Sequence, residues 1–263
     1  MQWKGNCWCG LVVLGIMSSS FSAKAQSVPA PASNLPQTVT LPAQEVDRMR
    51  HQLADWPNLG RYRDENATLA PPAQGEERVV FMGDSITDNW GRRAGKFFPG
   101  KPYVNRGIGG QTTPQMLIRF RQDVVALHPA AVIILAGIND IAGNTGPETM
   151  SDIENNFRSM VDIAKREHIR VILSSTLPAS ALGWRPALKP AGQVRELNAW
   201  LQNYAQQENL VYCNYYPALE DGNGGMRPEL AMDKLVHPND AGYAIMSPIA
   251  EAAIEKALAA PRP

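Results

Sequence analysis

Ser85, Asn139 and His237 have the side chains, and Gly110 the unobstructed backbone N–H, that acyl-transfer chemistry requires. Ser85 ends the run Val79-Val80-Phe81-Met82-Gly83-Asp84-Ser85. Its four leading apolar residues suit a strand buried on both faces. Gly83 lets the backbone turn, which puts Ser85 at the strand's carboxyl end, the edge where open α/β sheets bind ligands. A serine attacking a carbonyl builds negative charge on oxygen, and fixed amide donors stabilise it; losing one such donor costs roughly 10²–10³ in rate. Two further strand ends offer donors: Val104 leads into Asn105–Gly110, and Leu135 into Gly137-Ile138-Asn139-Asp140. Gly110 suits a backbone N–H donor because no side chain stands in front of it. The Asn139 amide suits a side-chain donor.

A serine nucleophile needs a base, and the chain has four histidines. His51 falls in an expected helix, His128 precedes Pro129 in a loop, and His168 ends a helix; surface or capping roles fit those three. His237 differs, lying in Asp233-Lys234-Leu235-Val236-His237-Pro238-Asn239 just before the last helix. It is the candidate base.

These residues must be carried by a scaffold that brings distant segments to one rim. After Ser85, apolar runs alternate with amphipathic segments. Strands are expected at Tyr103-Val104, Ala130–Ala136, Ile169–Leu173 and Leu210–Cys213. Between them, Thr113 is expected to cap a helix starting at Pro114 with Met116, Leu117, Phe120, Val124 and Leu127 on one face. Ser151 and Glu154 form a capping-box pattern ahead of the stripe Ile153, Phe157, Met160, Val161 and Ala164. Val194, Leu197, Leu201 and Tyr204 mark another helix, and the last runs from about Asn239 to Ala259, with Pro248 as an expected kink. This alternation predicts one α/β domain with a parallel sheet covered by helices on both faces.

Residues 76–263 make up that domain. Ahead of it, residues 43–75 read as a helical extension, with Val46, Met49, Leu53 and Trp56 at helical spacing and a second short helix over Arg61–Leu69. Residues 26–42 are a Pro/Ala-rich linker without apolar periodicity. Residues 1–25 have the pattern of a signal peptide: Lys4, the apolar run Leu11–Met17, and an A-x-A site at Ala23-Lys24-Ala25. The run is too short to span a bilayer. Cys7 and Cys9 precede it, which argues against a lipid anchor, so no stable membrane anchor is expected. The 25 basic and 25 acidic residues balance, and no basic bias points to nucleic acid. Loss of Lys4 and Lys24 on cleavage leaves 23 basic against 25 acidic residues, and Cys213 as the sole cysteine. The expectation is an exported protein, periplasmic or secreted, held by core packing without an intramolecular disulfide.

Four blocks together resemble the SGNH (GDSL) hydrolase family of esterases and lipases. They are Gly83-Asp84-Ser85-Ile86-Thr87, Ile108-Gly109-Gly110-Gln111-Thr112, Gly137-Ile138-Asn139-Asp140 and His237-Pro238-Asn239, in the family's order. The resemblance implies a flavodoxin-like three-layer α/β/α sandwich, Ser85 as nucleophile and His237 as base. It also implies an oxyanion hole of the Ser85 and Gly110 backbone N–H groups with the Asn139 side chain, and no metal or organic cofactor. One departure stands out. The family places its aspartate three residues before the histidine, where this chain has Lys234. Asp233, four before, is the candidate to orient His237 if the loop bulges by one residue; Glu229, Asp240 or a backbone carbonyl are the alternatives.

Other readings are weaker. Gly107–Thr112 lacks the final glycine of a dinucleotide fingerprint, Thr87 stands where G-x-S-x-G needs glycine, and Asp221–Gly225 fails the calcium-loop pattern. Asp84, Asn105, Arg106 and Asp140 are expected to be scaffolding. The sequence therefore predicts a carboxylic ester hydrolase acting through an acyl-enzyme on short-chain esters, acetyl groups of carbohydrates among them. Trp184 and Arg185 in the Thr176–Pro190 loop are offered as substrate contacts. Acyl transfer to another acceptor, long-chain lipase or lysophospholipase activity, and an impaired carbohydrate-binding protein are the alternatives. The oligomeric state is not legible.

Overall fold

The computed structural model describes residues 40–263. The expected signal peptide and nearly all of the linker lie outside the described residues. Five strands form on the apolar runs: β1 (Val79–Gly83), β2 (Tyr103–Gly107), β3 (Ala131–Leu135), β4 (Arg170–Ser174) and β5 (Val211–Cys213). All pair in parallel, in the order β2-β1-β3-β4-β5. This is the flavodoxin-like order, in which ligands bind where the strand order reverses beside β1. Gly83 stands level with Gly107 of β2 and with Leu135 of β3. The three blocks that follow these strands therefore leave the sheet at one height.

The helices are α1 (Ala43–Ala54), α2 (Arg63–Thr68), α3 (Ser85–Asn89), α4 (Thr113–Asp123), α5 (Ile138–Ile141), α6 (Met150–Arg166), α7 (Ala191–Gln207), α8 (Tyr216–Leu219) and α9 (Asp240–Ala259). Side chains of successive strand residues alternate between faces. Val79, Phe81, Ile133, Leu135 and Ile172 pack on one face with Met246, Ala250 and Ile254 of α9. Val80, Met82, Val132, Ile134, Val171 and Leu173 pack on the other with residues of α4, α6 and α7. The result is a three-layer α/β/α sandwich. Among the described residues, no helix is long and apolar enough to cross a membrane.

Local boundaries depart from the sequence reading where side chains have other work. Thr113 does not cap α4, because its N–H and hydroxyl both donate to Asp140 Oδ1, at 2.8 and 2.5 Å. Thr112 takes the cap position and donates its N–H to Gln115 Oε1 at 3.1 Å. The box of α6 is Thr149 with Asp152, two residues before the expected pair. Strand β2 runs on through Asn105 and Arg106, and α9 continues through Pro248. Helix α1 stops at Ala54, before Trp56, because the Asp55 carboxylate accepts the N–H groups of Leu59 (2.7 Å) and Gly60 (2.9 Å) and closes a turn.

Residues 55–70 are fastened to the back of the glycine block. Gln115 Nε2 donates to Trp56 O (2.6 Å), Gln111 Nε2 to Pro57 O (2.7 Å) and Gln122 Nε2 to Leu59 O (2.9 Å). The buried Tyr62 hydroxyl donates to Gly107 O, and the guanidinium groups of Arg61, Arg92 and Arg106 surround its ring at 4.6–5.4 Å.

Candidate active site

Ser85 opens α3 at the end of β1. The turn before it depends on glycine: a Cβ on Gly83 would stand 2.1 Å from Thr87 Oγ1 and 2.9 Å from Leu135 O. Asp84 is fully buried and caps α3, its Oδ1 accepting the Ile86 N–H at 2.9 Å. Burial pushes its carboxyl up to about 6, against the lowering effects of that N–H and of His237.

Ser85 Oγ lies 2.9 Å from His237 Nε2, and His237 Nδ1 lies 2.6 Å from Asp233 Oδ2. Asp233 thus reaches the ring despite its displaced position in sequence. The extra residue is absorbed at Lys234, whose φ of +59° is left-handed and whose side chain is exposed. Asp233 Oδ1 accepts the N–H groups of Leu235 (2.9 Å), Val236 (2.9 Å) and His237 (3.1 Å). Burial alone would raise its carboxyl, but the His237 ring bond and these three N–H bonds outweigh it and hold the group well below the usual carboxylate range. An ionised Asp233 takes the Nδ1 proton as its partner, which leaves Nε2 to accept from the Ser85 hydroxyl. Of the alternatives, Asp240 is spent on the Gly95 N–H at 2.6 Å.

The glycine block meets this group from β2. Gly109 donates its N–H to Asp88 Oδ2 at 3.2 Å. Among the described residues, the N–H of Gly110 (φ +79°) has no partner, and Gly110 is exposed. The buried Asn139 amide donates to Gln111 O (3.0 Å) and, over a longer 3.3 Å, to Asp84 Oδ2. A fully buried cation sits beneath. Arg119 donates to Gln111 Oε1 (2.6 Å), Asp123 Oδ2 (3.1 Å) and Gly83 O (3.1 Å), joining the serine turn to the glycine block.

The expected scaffolding residues bond backbone and neighbouring side chains. Asn105 donates to Thr87 O and accepts from Gly107 N–H, and Arg106 bonds Asn66 and Asn105 O. Trp184 and Arg185 line the same hollow, and Trp184 also comes near His237. The Trp184 ring centroid is 6.0 Å from that of His237. Arg185 donates to Gly143 O, and the hollow, which Glu148 and Pro186 also line, is separate from the one at Ser85.

One residue that the sequence reading passed over ties these parts together. Asn144 Nδ2 donates to Asn139 Oδ1 (2.9 Å) and Gly110 O (3.2 Å), while its Oδ1 accepts from Trp184 Nε1 (3.1 Å). Its only sequence signal is its place five residues after Asn139 in a polar loop.

Comparison with known proteins places this geometry. The sequence matches the GDSL-like lipase/acylhydrolase family over residues 81–245, well over half the chain. A solved structure from Bacteroides fragilis is similar, at 46% identity and a TM-score of 0.75, over 78% of this chain and 99% of that one. So is a GDSL-like lipase from Bacteroides thetaiotaomicron, at 44% identity and a TM-score of 0.73, over 76% and 98% of the two chains. An acetylxylan esterase of Geobacillus stearothermophilus is 26% identical over 202 residues, 65% of this chain and 90% of that protein. On the family match and these relatives, the chain belongs to the GDSL-like lipase/acylhydrolase family, hydrolases that act on esters.

Proposed function

We propose that this protein is an exported serine esterase that removes short acyl groups, acetyl above all, from carbohydrate esters through an acyl-enzyme. The observation that carries this reading is the relay from Ser85 Oγ to His237 Nε2 (2.9 Å) and from Nδ1 to Asp233 (2.6 Å). His237 takes the Ser85 proton as Oγ bonds to the carbonyl carbon, and the π electrons move to oxygen. That oxyanion is met by the Ser85 and Gly110 N–H groups and by Asn139, which must share or redirect one of its amide hydrogens. Collapse breaks the ester C–O bond, and the leaving alcohol takes its proton from His237. Water then attacks the acyl-Ser85 ester, giving one proton to His237, which returns it to Ser85 as the carboxylic acid leaves and then ionises to solvent.

The acetylxylan esterase relative supports an acetylated glycan as the substrate class. Support for a small acyl group comes from the modest hollow at the serine. It is about 380 Å³ and is lined by Asp88, Asn89 and Arg93 as well as by Met232 and His237. Ser85→Ala should abolish turnover of activated acetyl esters by several orders of magnitude while leaving the unfolding transition in place. Near-normal turnover in that variant contradicts the reading.

A further inference from the structure

A second, larger cavity adjoins the serine hollow. Its volume is about 580 Å³, within the range of small-molecule sites, and it is lined by Trp56 and Asn58 on one side and by Gly110, Asn144 and Thr145 on the other. Gly109 lines both hollows. The two therefore meet beside the Gly110 N–H, where an ester carbonyl oxygen is received. An ester bound there divides, its acyl group entering the serine hollow and its alcohol half reaching the larger cavity.

The wall carrying Trp56 comes from residues before the family-matched segment, which starts at 81. It is a built wall. The Trp56 carbonyl is held by Gln115 and the Pro57 carbonyl by Gln111, and the Asp55 turn locks the chain between them and Gly60. Both Asp55 oxygens are consumed in that turn. Arg48 at the cavity's edge is paired with Glu45. What remains to greet a ligand is the half-buried Trp56, the exposed Asn58 and bare glycine backbone, opposite Asn144 and Thr145, whose side chains are already bonded to Asn139, Gly110 O, Trp184, Thr112 and Glu148 and offer only spare acceptor lone pairs. That chemistry suits a neutral polyhydroxylated ring, whose C–H face lies on the indole while its hydroxyls meet the opposite wall. An anionic headgroup would need a spare cation, and a long acyl chain would need an apolar lining.

We propose that residues 55–58 and the Asn144-Thr145 loop form a sugar-binding subsite for the alcohol half of the ester, with Trp56 as its platform. This rests on the esterase reading above and specifies which substrate the same site prefers. The test compares kcat/KM for an O-acetylated disaccharide (acetylated cellobiose) with that for ethyl acetate, whose alcohol is too short to reach Trp56. The unmodified protein should favour the disaccharide. Trp56→Ala should lower the disaccharide-to-ethyl-acetate ratio at least tenfold, mainly through KM, and Trp56→Phe, which keeps a flat ring, should retain most of it. Asn58→Gly, which keeps the left-handed φ of +55° at this exposed position, should lower the ratio by a smaller factor. A ratio unmoved in both Trp56→Ala and Asn58→Gly, or an equal fall in the alanine and phenylalanine variants of Trp56, would overturn the subsite. No turnover of either ester by the unmodified protein would strike down the esterase reading instead. Turnover of both without preference would strike down the subsite alone.

Discussion

The two halves of the active site are built in opposite ways. Ser85, Gly110 and Asn139, the proposed nucleophile and oxyanion donors, follow the ends of β1, β2 and β3, at a level fixed by strand register. Beneath them lie Asp84, Arg119 and Asp123, each fully buried. The proposed acid–base half hangs on the loop Met232–His237, exposed at Met232–Lys234 and anchored by the buried Val236, and closed by the Met232 N–H on His237 O at 2.8 Å and by one carboxylate. Asp233 both folds that segment, through three backbone N–H groups, and holds the imidazole. A buried network positions the first half and a single side chain the second. The first should fail by unfolding, the second by losing rate.

Asp233→Asn tests the second half and carries the largest expected effect. It should lower kcat by roughly 10³–10⁴, as loss of the aspartate does in other serine triads, and speed amide exchange at Leu235–His237 while the sheet stays protected. A loss under tenfold would mean that another group orients His237. Its pH signature has a definite sign. The folded carboxyl lies below its unfolded value, near 3.9 for aspartate, so its stabilisation is complete above that pH and is lost as the pH falls below it. The difference in Tm between wild type and Asp233→Asn should therefore hold from pH 7 to 5 and shrink below pH 4.

Arg119→Met tests the first half. Removing one partner of a buried ion pair costs about 3–5 kcal/mol, and Gln111 and Gly83 O lose donors as well. Denaturant unfolding should show a loss of that size, and a change below about 1 kcal/mol would refute the role given to the buried cation. Asn139→Ala should cost roughly 10²–10³ in kcat if its amide meets the oxyanion. Lys234→Gly has the smallest effect and the opposite sign. Glycine adopts the left-handed conformation without strain, so stability should rise by up to about 1 kcal/mol. A loss of stability there would contradict the description of the loop.

Legibility in the sequence followed the same division. The apolar runs and helical stripes announced the parallel sheet, because strands buried on both faces leave continuous hydrophobic signals. The four blocks singled out Ser85, Gly110, Asn139 and His237 as candidates because each breaks such a signal at a strand end or helix start. Asn144 and the Gln111–Arg119 link left no comparable trace. Asn144 is a polar residue in a polar loop, and its bonds to Gly110 and Trp184 span 34 and 40 residues. Arg119 falls within α4 among residues of ordinary helical composition, and only the fold shows that it is wholly buried. The cap of α4 was misplaced for a similar reason, since Asp140, which claims Thr113, lies 27 residues away.

The central claim is that Ser85 is a nucleophile activated by His237, and covalent trapping tests it most directly. The protein should be treated with an activated phosphonate ester and analysed by peptide mass spectrometry. A single adduct on Ser85, formed rapidly by the unmodified protein and at least a hundredfold more slowly by His237→Ala, is the expected result. An adduct on another residue, or equal labelling rates in the two proteins, would contradict the account.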